Sequence, residues 1–146
     1  MYYTLSIEDE TGKIEITDAD VIQGVDVVVY QDDNMANDRS DKLFVDVTVY
    51  GVLNNKSNKQ AAELFNWSKD TQYKTNYKTV KIKVYESDKK DSQIRDYFFK
   101  MMFCSSYQES FLEKGIQAKD VISEGRTMFF LKMKQRKGEI ETIVVE

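Results

Sequence analysis

The chain has 146 residues, 41% of them apolar and 32% charged, which is the balance of one ordinary globular domain spanning 1–146 and not of a disordered chain. Its net charge of −4 argues against nucleic acid as the main partner, because phosphate binding needs a clustered basic face. There is no proline and there are only six glycines, so nothing reads as a linker to a second domain.

Tyr2 to Glu8 alternates loosely and predicts a first strand, followed by a turn at Thr11-Gly12 and a short strand from Lys13 to Thr17. Val21 to Tyr30 carries Val25, Val27, Val28 and Val29 and predicts a strand partly buried on both faces. Gln31 to Lys42 is polar throughout and predicts a long exposed loop. In Leu43 to Leu53 the apolar Leu43, Val45, Val47 and Val49 alternate with Asp46 and Thr48, the clearest strand pattern in the chain. Ser57 and Gln60 have the spacing of a capping box for a helix over Asn58 to Trp67, with Ala61, Leu64 and Phe65 on its apolar stripe.

Tyr77 to Glu86 alternates again, with Val80, Ile82 and Val84 facing in and Lys81 and Lys83 facing out. Ser87 to Ser92 is a charged turn. Arg95 to Phe111 predicts a long strand or a bent pair, apolar on both faces around Phe98, Phe99, Met101, Met102 and Phe103. Glu113 to Gly125 reads as a polar loop, Thr127 to Gln135 as a second two-faced strand, and Glu139 to Val145 as a short closing strand after a turn at Gly138. The tally predicts a mainly β fold: an antiparallel β-barrel or double-sheet sandwich with one short helix on its side. A strand with two apolar faces must be covered twice, by the core and by either the helix or a neighbouring subunit.

With no histidine, the Ser-His and Cys-His nucleophile pairs and the commonest metal ligand are gone. No glycine-rich phosphate loop occurs. No catalytic residue, cofactor or metal is therefore expected. Cys104, the only cysteine, reads as a structural thiol, and Asp32, Asp33, Asp38 and Asp41 do not follow the spacing of a calcium loop. Lys132, Lys134, Arg136 and Lys137 are followed at once by Glu139 and Glu141 and read as a solvated or subunit-facing edge. No apolar run is long enough to span a membrane, so no membrane insertion is expected, and the first residues lack the pattern of a signal peptide; assembly in the cytoplasm is expected.

Four segments in order carry a resemblance: Ala61-Ala62-Glu63-Leu64-Phe65-Asn66-Trp67, Thr79-Val80-Lys81-Ile82-Lys83-Val84-Tyr85, Cys104-Ser105-Ser106-Tyr107-Gln108-Glu109-Ser110-Phe111 and Met128-Phe129-Phe130-Leu131-Lys132-Met133-Lys134. Over residues 43–135 the chain resembles the Hcp (TssD) tube proteins of type VI secretion systems and the tail-tube proteins of phage-tail-like contractile injection systems. The resemblance implies hexameric rings stacked into a tube and ejected from the cell, with sheath, baseplate or spike proteins as partners and effector cargo in the lumen. It implies contacts between rings from the 31–42 loop at Asp32, Asp33, Asn34 and Met35, and contacts within a ring near Tyr107, Phe111 and Lys132. Two other readings remain at this point. One is a monomeric β-barrel holding a small apolar ligand; the other is an enzyme with a carboxylate pair.

Overall fold

A computed structural model describes residues 1–31, 43–118, 121–122 and 124–146. Ten strands and two helices are placed among them: β1 (Tyr2–Asp9), β2 (Gly12–Ile16), β3 (Ile22–Gln31), β4 (Leu43–Val52), α1 (Asn58–Ser68), α2 (Tyr73–Asn76), β5 (Lys78–Tyr85), β6 (Gln93–Phe111), β7 (Gln117–Ala118), β8 (Val121–Ile122), β9 (Thr127–Gln135) and β10 (Val144–Val145).

The main sheet is antiparallel in the order β2-β1-β5-β6-β9-β4-β3, with β10 added on β6. The first hairpin turns on Asp9, whose carboxylate accepts from the Thr11 hydroxyl at 2.6 Å and the Thr11 amide at 2.8 Å, a local alternative to the ladder that fixes the bend. β1 then pairs with β5 far along the chain, Leu5 opposite Ile82.

The 19-residue β6 serves two partners in turn. Up to Met102 it pairs with β5, and from Met102 to Phe111 with β9. The change of partner falls where Met101 takes φ 57°, and a register shift follows between Cys104 and Ser106. A strand that passes from one sheet layer to another needs such an irregularity to turn the corner. The sheet thereby folds over a single core. Leu5, Ile7, Val80, Ile82 and Phe99 come from one half, and Val45, Val47, Val49, Phe129, Leu131 and Met133 from the other. Gly51 permits the tightest approach: a Cβ there would collide with the Phe129 ring. β1 packs on β3, but the end strands β2 and β3 do not pair, so the ladder stays open.

Several local expectations are corrected. In α1 the buried stripe is Ala61, Leu64 and Trp67, a spacing of three; Phe65 is half-exposed. Trp67 is anchored by its indole N–H, which donates to the Asn76 carbonyl at 2.8 Å and so ties α1 to α2, a second helix the sequence pattern did not reveal. Ser57 makes no capping bond to the helix. Its hydroxyl is buried, donates to the Val52 carbonyl at 2.6 Å and accepts from the Asn54 amide at 3.0 Å, bracing the turn after β4. The segment expected as a polar loop from 113 to 125 holds the β7–β8 hairpin. The closing strand is only Val144–Val145, preceded by a 3-10 turn over Ile140–Thr142. Val28 and Val29 are not partly buried: both are more than half exposed, because β3 lies at the end of the sheet.

Candidate functional site

From Gly24 to Tyr30 the outer side of β3 meets no strand among the described residues. Charge, proline and bulges are the usual devices that keep a sheet edge from pairing with another chain. Here the strand offers Val28 and Val29 on its two faces, 52% and 57% exposed, and its one irregularity lies at its start, between Ile22 and Gly24.

The second open edge belongs to β6. β5 and β9 lie on opposite sides of it, and the pairing with β5 ends at Met102. From Phe103 to Phe111 the side toward β5 therefore carries no strand among the described residues. The run β6-β9-β4-β3 is thus a four-stranded face with an open edge at each end.

The surface of that run follows from strand alternation. With Val45, Val47 and Val49 turned into the core, Asp46, Thr48 and Tyr50 point away from it. Across the ladder they meet Lys134, Lys132 and Phe130, while Val28 and Asp26 stand opposite Asp46 and Thr48. The Tyr50 hydroxyl donates to Asp26 at 2.7 Å, and the Phe130 ring stands edge-on to Tyr50 at 6.0 Å. Hydrogen bonding to that carboxylate, then burial, raises the Tyr50 phenol above its ordinary pKa. Lys134 lies 4.0 Å from Asp46, a loose pair on a partly exposed face and worth little by itself.

The residues expected at a subunit contact fall near this run. Phe111 closes β6 and is 68% exposed; Lys132 is exposed, opposite Ser106 of β6 and Thr48 of β4. Tyr107 is half-buried instead. Its ring stacks on Phe129 at 6.3 Å and stands edge-on to Phe65 of α1 at 6.1 Å. Its hydroxyl is buried without a hydrogen bond, and burial, followed by the nearby Glu109 carboxylate, pushes the phenol pKa up. Asp32, Asp33, Asn34 and Met35 lie outside the described residues, as do Asp38 and Asp41. Val28 and Val29 were not singled out from the sequence as contact residues. Their signal was present, since a run of valines on both faces fits either a covered strand or one that awaits a neighbour.

The interior leaves no room for an apolar ligand among the described residues: Phe99, Phe129, Met102, Leu131 and Met133 fill it and are each at most 1% exposed. Cys104 is partly buried, its thiol pushed up to about 11 by burial, which holds it as the poorly nucleophilic thiol. Among the described residues Asp9 is the strongly lowered carboxylate, held by Lys78 and Thr11 in the first hairpin; the nearby Asp70 is lowered too, by hydrogen bonds from Thr75 and the Gln72 amide, so the two are not split into an acid and a base.

Neither a protein-family model nor a curated protein matches the chain. Solved structures do. Hcp1 from Flavobacterium johnsoniae aligns with a TM-score of 0.55 at 14% identity, over 97% of this chain and 94% of that one. A chain of the sheath–tube complex of an extracellular contractile injection system, PVC, in its extended state aligns with a TM-score of 0.53 at 15% identity, over 99% and 88%. A chain of the anti-feeding prophage baseplate aligns with a TM-score of 0.54 at 10% identity, over 99% and 92%. At such identities the likeness establishes the architecture. The chain has the Hcp-like tail-tube fold.

Proposed function

We propose that this chain, with its Hcp-like tail-tube fold, is an inner-tube subunit of a contractile injection apparatus that closes into hexameric rings and stacks them. The observation that carries the reading is the four-stranded run β6-β9-β4-β3 with an open edge at each end. β3 runs antiparallel to β4, β4 to β9, and β9 to β6, so the alternation continues if β3 of one copy lies beside β6 of the next. Such a contact is head-to-tail. It closes a ring when the rotation per copy divides the circle, and the open edges of β3 and β6 are then both paired.

The known neighbours support the same reading, since they come from a type VI secretion system and from extracellular injection particles. The sheath, baseplate and spike proteins of such an apparatus are the partners this reading assigns, with effector cargo in the lumen and ejection by the apparatus as the route out. Tyr107, Phe111 and Lys132 contribute to the contact within a ring, and Asp32, Asp33, Asn34 and Met35 to a contact between rings. The role is structural, with no reaction at the surface.

Light scattering on a sizing column and negative-stain microscopy test the proposal. The full chain is expected to give six-fold rings. Val28→Lys with Val29→Lys, which puts two cations on the β3 edge, is expected to leave a folded monomer. A native chain that stays monomeric at high concentration overturns the reading.

A further inference from the structure

The two end strands of the main sheet are protected differently. β2 carries Lys13 and Glu15 in its five residues, joined by an ion pair at 2.8 Å, and such charge discourages a further strand. The open stretch of β3, from Gly24 to Tyr30, has one charge, Asp26, and the open stretch of β6, from Phe103 to Phe111, has one, Glu109. Neither stretch holds a lysine, an arginine or a proline.

Both stretches have distinguishable faces. On β3 the core-side row is Val25, Val27 and Val29, opposite Val49, Val47 and Val45, while Asp26 and Val28 point the other way. On β6 the core-side row is Tyr107, Glu109 and Phe111, opposite Leu131, Phe129 and Thr127. A backbone ladder alone does not choose between the faces of an incoming strand, and a slip of one residue exchanges them.

The helix α1 distinguishes those faces. Ala61, Leu64 and Trp67 dock it, and it packs on β6 and β2. Phe65 is not needed for that docking. It is 49% exposed, and its ring stands edge-on to Tyr107 at 6.1 Å, on the core side of β6. The valine row of the same copy lies at the other end of the four-stranded run, three strand spacings or about 14 Å from β6, so it is a second copy that brings such a row to Phe65.

We infer that Phe65 receives the core-side valine row of the next copy's β3, Val29 above all as its most exposed member, and thereby fixes which face of that strand turns inward. The inference rests on the tube-subunit reading and adds to it the side chain that sets the register of the contact. With the faces matched, an apolar ring meets an apolar row. Asp26 then falls on the opposite side, with Ser106 and Gln108 of β6 and Lys132 of β9. Slipped by one residue, Asp26 enters the row that holds Glu109 and lies against Phe65. That arrangement sets like charges on one face and strips water from a carboxylate without a partner, so it is disfavoured.

The test measures the concentration at which the full chain half-assembles into rings, by sedimentation, beside the thermal unfolding of each variant as a dilute monomer. Phe65→Ala is expected to leave unfolding unchanged and to raise that concentration about tenfold, the loss typical of an interface anchor. Phe65→Asp is expected to leave folded monomers. A double-mutant cycle identifies what Phe65 touches. Phe65→Ala combined with Val29→Ala raises the concentration by less than the product of the two single effects, because both remove one contact. Phe65→Ala combined with Val28→Ala gives the full product, since Val28 lies on the other face. Coupling to Val28 in place of Val29 means that the strand docks the other way round and overturns the inference. Independent effects of Phe65 and Val29 overturn it as well. Rings that form equally well with Phe65→Ala overturn it while leaving the tube-subunit reading intact. Native chains that form no rings remove both.

Discussion

Asp9 and Lys78 show how one pair of side chains fastens two distant parts of the chain. The carboxylate and the ammonium are 9% and 14% exposed, and the Thr11 hydroxyl and amide bind the same carboxylate. Burial by itself would raise the Asp9 pKa; Lys78 and Thr11 outweigh it and bring it down to about 2. A carboxylate whose pKa is lower folded than unfolded adds stability that is complete above its unfolded value, near 4, and is lost as pH falls through its folded value. Unfolding free energy measured by urea titration is therefore expected to drop between pH 4 and pH 2. Asp9→Asn is expected to cost about 3 kcal/mol at neutral pH, because it leaves Lys78 buried beside a neutral group. It also makes the acid slope shallower without removing it, since hydrogen bonds from Thr75 and the Gln72 amide lower the Asp70 pKa as well. An acid slope unchanged in the variant would show that the pair is not its source.

The elements differ in how far the letters foretell them. β4 and β5 were legible because each has one face in the core and one in solvent, which writes a period of two into the sequence. β6 was legible as long and two-faced, but its change of partner was not. Nothing in Lys100-Met101-Met102 signals a left-handed residue, because that conformation is imposed by the two halves of the sheet and not preferred by methionine. α1 was legible as a helix, yet its stripe was misread by one position. Leu64 and Phe65 are equally apolar neighbours, and the docking angle that buries Trp67 in preference to Phe65 is set by α2 and β6, outside the helix. The β7–β8 hairpin was hidden because two-residue strands are too short to show a period. Trp67→Ala is thus expected to cost about 3–5 kcal/mol, the usual loss for a buried large aromatic, whereas Phe65→Ala stays below about 1 kcal/mol. Equilibrium denaturation of the two variants checks the ranking; a reversal would mean that Phe65 is the anchored side chain.

At the scale of the whole molecule, the open edges of β3 and β6 and the ends of the sheet are the places where copies can meet. The candidate surface was legible only in outline. Tyr107, Phe111 and Lys132 lie on β6 and β9 within the four-stranded run, but which edge is open depends on strand order, and strand order follows from long-range pairing that no local pattern records. That long-range pairing has a further consequence, in time. Leu5 must find Ile82 across about half of the chain before the first half of the sheet is complete. Closing so long a loop costs entropy before any contact repays it, and sheets dominated by such pairings fold in milliseconds to seconds. Refolding from urea, followed by tryptophan fluorescence at Trp67, is expected to be correspondingly slow; a microsecond phase carrying the full amplitude would contradict this. Until β1 arrives, β5 is a second uncapped edge that can capture the wrong strand. The yield of native protein should therefore fall as refolding concentration rises: the same readiness to extend a sheet that the proposed assembly would use in the finished chain makes the half-finished one vulnerable to its neighbours.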